Sequence, residues 1–152
     1  MLPQKDEEGI RSRLRVKGSC VKAVAIFGSR ARGEHNDRSD IDLLVLHEGC
    51  RISDPVSRRR YIYNLLRKAI EGGFESVIII DMELKRFLKP AEINALLLNI
   101  YWDGVVVYDE TGTLRGFLKH IKEKISKSGR RVKDGKAYRW ILPEPLKEVK
   151  IL

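Results

Sequence analysis

Four residues in one short stretch have the types and the spacing to handle phosphate and metal: Gly28, Ser29, Asp40 and Asp42. Gly28-Ser29 follows directly on an apolar, β-branched run at residues 21–27, and Asp40 and Asp42 open a second apolar run at residues 41–46. Side chains two apart on a strand share a face, so the two carboxylates project together. Paired acids beside Ile41, Leu43 and Leu44 are unfavourable unless a cation neutralises them. Magnesium takes oxygen ligands, and two same-face carboxylates can bridge two such ions. Two ions can activate an attacking oxygen and stabilise a leaving pyrophosphate in an in-line displacement. Glycine lets a phosphate approach the backbone, and serine adds a hydroxyl and an amide. A helical turn after it, at residues 30–33, would aim further amides at an anion. Each half alone is ordinary: Gly-Ser makes many turns, and Asp-Ile-Asp can be two solvated acids paired with Arg30 or Arg38. Arg30 and Arg32 could contact a triphosphate or neutralise the two acids.

The elements that must hold these residues follow from periodicity. Residues 5–17 read as an amphipathic helix interrupted by Gly9, and residues 21–27 and 41–46 as strands. Their connection of ~13 residues is short for a parallel crossover, so antiparallel or mixed pairing is expected. Asp54 caps a helix with Pro55 at its first position, running to about Glu71 and closed by Gly72-Gly73. Residues 74–80 are almost continuously apolar, which predicts a central strand buried on both faces, with Asp81 just after it. Helices over 83–88 and 91–103, a strand over 104–108, a helix over 113–126 and a hairpin around Asp134-Gly135 complete the chain. The class is α/β (α+β): a small mixed β-sheet with helices packed mainly on one side. We read residues 1–152 as a single domain, with a core at about 21–108 and a basic extension at about 112–152.

The chain of 152 residues carries a net charge of +9. Residues 112–152 hold 12 Lys/Arg against 4 Asp/Glu, leaving the first 111 residues at only +1. The basic tail, with Tyr138 and Trp140 among its cations, could contact RNA through its backbone and bases, or be a solvated helix whose aromatics are core. The aromatics are expected in the core. Arg58 to Arg60 read as a solvated helix face, and His35, His47 and His120 have no assignable role. Cys20 and Cys50 make no disulfide framework and no zinc pattern, suiting a reducing cytoplasm. Nothing at the start of the chain resembles a signal peptide, and no segment could span a membrane. One glutamine and 34% charged residues are a balance common in thermophiles.

The stretch GSRARGEHNDRSDIDLLV closely resembles the signature of the polymerase-beta-like nucleotidyltransferase superfamily, in its minimal, small prokaryotic branch. Phe27, Gly28, Ser29, Asp40, Ile41, Asp42 and Leu43 match it position by position, and Arg30, Ala31, Arg32 and Gly33 match its usual form. The resemblance implies the nucleotidyltransferase fold, with Gly28 and Ser29 as nucleotide-phosphate contacts and Asp40 and Asp42 as ligands of Mg2+. It further implies a third acid on a neighbouring strand, which commonly helps deprotonate the attacking hydroxyl. Glu75 and Asp81 are the candidates, with Glu75 slightly preferred. Ser76 occupies the place an alignment by the following helix would give the acid, and both acids could equally be solvated strand ends.

The expected activity is metal-dependent transfer of a nucleoside monophosphate from a nucleoside triphosphate, ATP first, to an acceptor hydroxyl, with release of pyrophosphate. The resemblance offers a helical protein partner, as for antitoxins that adenylylate a toxin. The tail offers RNA, and the apolar residues 91–107 offer a homodimer face or plain core. A nucleotide- or nucleic-acid-binding module with a decayed triad is the alternative. An aminoglycoside-type nucleotidyltransferase ranks behind both, since no pocket domain is evident.

Overall fold

The computed structural model describes residues 4–34, 40–71, 74, 76–135 and 137–141. In chain order the elements are α1 (Gln4–Arg13), β1 (Val21–Phe27), α2 (Gly28–Arg32), β2 (Ile41–His47), α3 (Pro55–Ile70), β3 (Val77–Glu83), α4 (Leu84–Leu88), α5 (Ala95–Asp103), β4 (Val105–Asp109), α6 (Leu114–Ser128), β5 (Arg130–Asp134) and β6 (Ala137–Ile141). A four-stranded mixed sheet has the order β3-β2-β1-β4, and β5 and β6 form a separate hairpin. β1 is antiparallel to β2 and to β4, while β2 and β3 are parallel. The short β1–β2 connection therefore gives the antiparallel pair expected of it.

Alternation along β1 and β2 builds two cores. Ala23, Ala25, Phe27, Leu44 and Leu46 face α4, α5 and α6, whose Phe87, Leu97, Tyr101, Leu118 and Ile121 close over them. Val24, Ile26, Ile41, Leu43 and Val45 face the other way, onto Ile10 of α1 and Ile62, Leu66 and Ala69 of α3. Helices thus cover both faces of the sheet rather than mainly one. The reason lies in the strands: both are apolar at odd and even positions, so neither face can be left to water. α3 begins as expected, Asp54 accepting from the Ser57 amide with Pro55 at the first turn.

Two further expectations change. Residues 77–83 form an edge strand, not a central one, and it runs through Asp81 instead of stopping before it. Nor is it buried on both faces: none of its residues is fully buried and Ile78 is exposed, because an edge strand is covered less than a central one. Cys20 and Cys50 form a disulfide, with Cα atoms 5.1 Å apart. The antiparallel pairing brings the start of β1 beside the end of β2, where Glu48 donates its amide to the Cys20 carbonyl, and places the two cysteines within bridging range. In the proposed dimer segment, Leu97, Leu98, Ile100, Tyr101, Val106 and Val107 are core, and Leu96 is exposed. No described helix is long and apolar enough to cross a membrane.

Candidate active site

The end of β1 and the start of β2 lie side by side, with Phe27 paired to Asp42. Gly28 turns the chain out of β1 into α2 with φ +74°, a conformation that L side chains rarely adopt. The turn also presses the glycine backbone against Asp42: a β-carbon at position 28 would stand 2.2 Å from Asp42 Oδ2. Position 28 therefore favours glycine for two independent reasons. Asp42 is half-buried and Asp40 exposed, both of the parity that faces α4–α6. Among the described residues no ion pair reaches either carboxylate. Burial first, and then the charge of Asp40, push Asp42 above the usual carboxylate range, and Arg32 only partly offsets them. A carboxylate left in that state is one that a bound cation would relieve.

The parallel register tests the third acid. Asp42 is paired with Ile78, and the Ile41 amide donates to the Ser76 carbonyl. The side chain of β3 that shares the face and level of Asp42 is therefore Ile78. Asp81 pairs with Val45, three residues on, and so faces α3. There Arg58 Nε and Arg59 Nε donate to its two oxygens at 3.1 and 3.2 Å. Burial would raise the Asp81 pKa, but those two guanidiniums outweigh it and hold the carboxyl below the usual range. Asp81 is thus placed in a structural clamp on the other face, and two of the three arginines read as a solvated face are its partners. Glu75, like His35 and Arg38, lies outside the described residues. Among the described residues no cluster of three ligating side chains exists.

The arginines also separate. Arg30 is buried, with its guanidinium 4.7 Å from the centre of the Phe74 ring. Arg32 donates to Glu34 Oε1 at 2.8 Å and to Asp103 Oδ2 at 2.9 Å, so it is held by carboxylates other than Asp40 and Asp42. Tyr138 and Trp140 fold back onto the domain: Trp140 meets Trp102 edge-on and donates to Asn99 at 2.9 Å, and Tyr138 donates to Glu34 Oε2 at 2.5 Å. His47 is buried at the far end of β2, its Nε2 without a hydrogen bond. Burial, and then Arg58, keep it below the usual histidine range and hence neutral at pH 7. A cavity of about 650 Å³ opens there, lined by His47, Arg58, Ile80, Asp81 and Arg86, and does not include Asp42.

The nucleotidyltransferase domain family matches the chain over residues 7–134. The chain belongs to that family. It is a nucleotidyltransferase, and the matched span contains the glycine turn, both acids and the first strand of the hairpin. Three solved structures are similar to it. One, from Sulfolobus solfataricus, is provisionally described as a nucleotidyltransferase: 23% identity, 69% of this chain and 78% of that one covered, TM-score 0.41. A toxin–antitoxin complex with AMP-PNP aligns at 20% identity over 80% of this chain and 94% of that one, TM-score 0.43. A mutant toxin–antitoxin MntA-HpeT complex aligns at 16% identity over 84% and 95%, TM-score 0.37. No curated protein matches.

Proposed function

We infer that this nucleotidyltransferase moves a nucleoside monophosphate from ATP to an acceptor hydroxyl, using a site built on Gly28, Ser29, Asp40 and Asp42. The observation that carries the reading is the contact of the Asp42 carboxylate with the Gly28 backbone. It sets a metal ligand with raised proton affinity directly against the turn where phosphates can approach. Asp40 and Asp42 would hold Mg2+, two ions in the full complement, and Gly28 and Ser29 would contact the phosphates. When bound, the metal supplies charge stabilisation at the phosphates and activation of the attacking oxygen. The hydroxyl oxygen of the acceptor forms a bond to the α-phosphorus as the bond to the pyrophosphate oxygen breaks. Its proton needs a base. Glu75, outside the described residues, stays our candidate for the third acid.

The acceptor is best read as a hydroxyl of a protein partner. The RNA reading loses support because Tyr138 and Trp140 are engaged within the domain. We place the reaction in the cytoplasm, where ATP is supplied; a disulfide in a charge-rich, glutamine-poor chain fits the intracellular bridges of hyperthermophiles. A nucleotide binder without transfer is the competing reading, favoured by one observation, Ile78 at the level of Asp42. Incubation with labelled ATP, Mg2+ and a panel of partner proteins, RNA and aminoglycosides separates the two. Label transfer lost in Asp40→Ala and Asp42→Ala supports the enzyme reading. Nucleotide binding without transfer to any acceptor supports the binder.

A further inference from the structure

One charge of the hairpin β5–β6, Arg131, is spent inside the domain, close to the exit of the glycine turn. Asp103, at the end of α5, has a side chain only 5% exposed, and its Oδ2 accepts from Arg32 at 2.9 Å and from Arg131 of β5 at 2.7 Å. Glu34 uses both oxygens, one for Arg32 and one for Tyr138 of β6. The Tyr138 ring is flanked by the two guanidiniums, with Arg32 Cζ 4.6 Å and Arg131 Cζ 4.2 Å from its centre. Arg32 and Arg131, with Lys133 further out at 6.0 Å, thus meet Glu34 and Asp103 around one aromatic ring, a set drawn from α2 and its exit, α5 and the hairpin. Asn99 anchors the same strands, accepting from Trp140. The other end of this set is the candidate site itself. The Glu34 amide donates to the Ser29 carbonyl at 2.9 Å, and Gly33 donates to the Arg30 carbonyl. Glu34 therefore ties the residue after Gly28 by its backbone and the hairpin by its side chain. Tyr138 and Arg32 both donate to the Glu34 carboxyl and hold it below the usual range.

We propose that the hairpin β5–β6 is part of the nucleotide site, and that Tyr138 and Arg131 are positioning residues that fix the Gly28-Ser29 turn through Glu34, Arg32 and Asp103. The proposal rests on the reading of that turn as the phosphate-contacting element. It assigns Arg131 of the hairpin an intramolecular purpose. A β-hairpin alone is marginal in water, and this one is held by the same contacts with which it braces the turn. Tyr138 touches neither phosphate nor metal in this scheme. It acts by holding the Glu34 carboxylate, and with it the backbone from Ser29 to Glu34.

The test uses the full chain, with Tyr138→Phe, Arg131→Gln and, as a charge control, Arg130→Gln. Two readouts are taken: backbone amide resonances of Ser29 and Glu34, and affinity for AMP-PNP with Mg2+. In Tyr138→Phe the ring remains and only the donated hydrogen bond is lost. We expect the two amide resonances to shift and the affinity to fall about threefold to tenfold, the range one hydrogen bond sets. Arg131→Gln does the same and Arg131→Lys restores part of it, since lysine keeps the charge but not the fork. Arg130→Gln changes neither readout. The proposal is overturned if folded Tyr138→Phe leaves both resonances in place, or if Arg130→Gln weakens binding as much as Arg131→Gln does. If the unaltered protein binds no AMP-PNP, the nucleotide reading of the turn fails. The resonances still decide whether the hairpin positions it.

Discussion

The contact between Gly28 and Asp42 can be measured by one substitution placed in two backgrounds. Gly28→Ala adds a single carbon. At φ +74° that carbon incurs a left-handed penalty of about 1–2 kcal/mol wherever it points. It also lands 2.2 Å from Asp42 Oδ2, and real contacts of a β-carbon do not fall below 3.0 Å, so the carboxylate must withdraw by about 0.8 Å. Phe27 and Ile78 pair the Asp42 backbone from both sides, so the movement falls on the side chain, the part that would hold metal. Overpacking of this kind costs about 1–3 kcal/mol. In the unaltered protein, Gly28→Ala is therefore expected to lower unfolding free energy by about 2–5 kcal/mol. In an Asp42→Ala background the oxygen is gone, and only the backbone share of about 1–2 kcal/mol remains. The assay is urea unfolding of the four proteins, with the coupling taken as the difference between the two costs. In parallel, displacement of a ligand by nearly an ångström is expected to reduce transfer by about a hundredfold. Equal unfolding costs in both backgrounds, together with AMP-PNP binding like that of the unaltered protein, would refute the claim that Asp42 rests on Gly28.

Asp42 itself should be a stability liability. Its raised pKa means the folded state binds the proton more tightly than the unfolded one, so stability falls as pH rises through the carboxylate range. Asp42→Asn should accordingly melt higher than the unaltered protein at pH 7, with the gap closing toward pH 4, and Mg2+ should raise the melting temperature of the unaltered protein only. Asp81 has the opposite sign: its lowered pKa contributes stability above the ordinary carboxylate range that is lost as pH falls toward the folded value. Asp81→Asn should cost about 1–3 kcal/mol in urea unfolding, because Arg58 is left facing a neutral group, while transfer rate stays within about twofold. Reduction of Cys20–Cys50, which closes an interval of 30 residues, should lower unfolding free energy by up to ~3.5 kcal/mol without changing the affinity for AMP-PNP. The bridge sits at the end of β1 and β2 away from Gly28, so a loss of binding on reduction would contradict the placement.

The strands and the turn could be read in the sequence because each carries local signals: β-branched runs punctuated by Gly28 and Asp40, and Asp54-Pro55 at the start of α3. What could not be read depends on partners far along the chain. Asp81 looks like a strand terminator until Arg58 and Arg59, 23 and 22 residues earlier, are seen to neutralise it inside the strand. The net charge of the tail suggests a polyanion until Arg131 is found on Asp103, 28 residues before it. The disulfide was within reach of the sequence: once β1 and β2 are taken as antiparallel, a cysteine just before the first and one just after the second must approach each other. The third acid was sought along β3, and only the β2–β3 register reveals that Ile78 occupies the level of Asp42.

The distribution of arginines argues for function at Asp42 more strongly than the motif does. The chain contains 30 Lys/Arg and 21 Asp/Glu, so cations are not scarce. Two of its most enclosed carboxylates each receive a pair of guanidiniums: Asp81 from Arg58 and Arg59, Asp103 from Arg32 and Arg131. Both lie at the periphery of the candidate site or on the other face of the sheet. Arg32 is near enough to Asp42 to influence its proton affinity, yet it is committed elsewhere. Among the described residues Asp42 receives no such pair, and a half-buried carboxylate beside a second acid costs free energy. A bound cation would offset that cost. The same network that withholds Arg32 from Asp42 pins Glu34 and the turn after Gly28. One set of contacts thus leaves Arg32 off Asp42 and, on the proposal above, would brace the turn we read as facing phosphate.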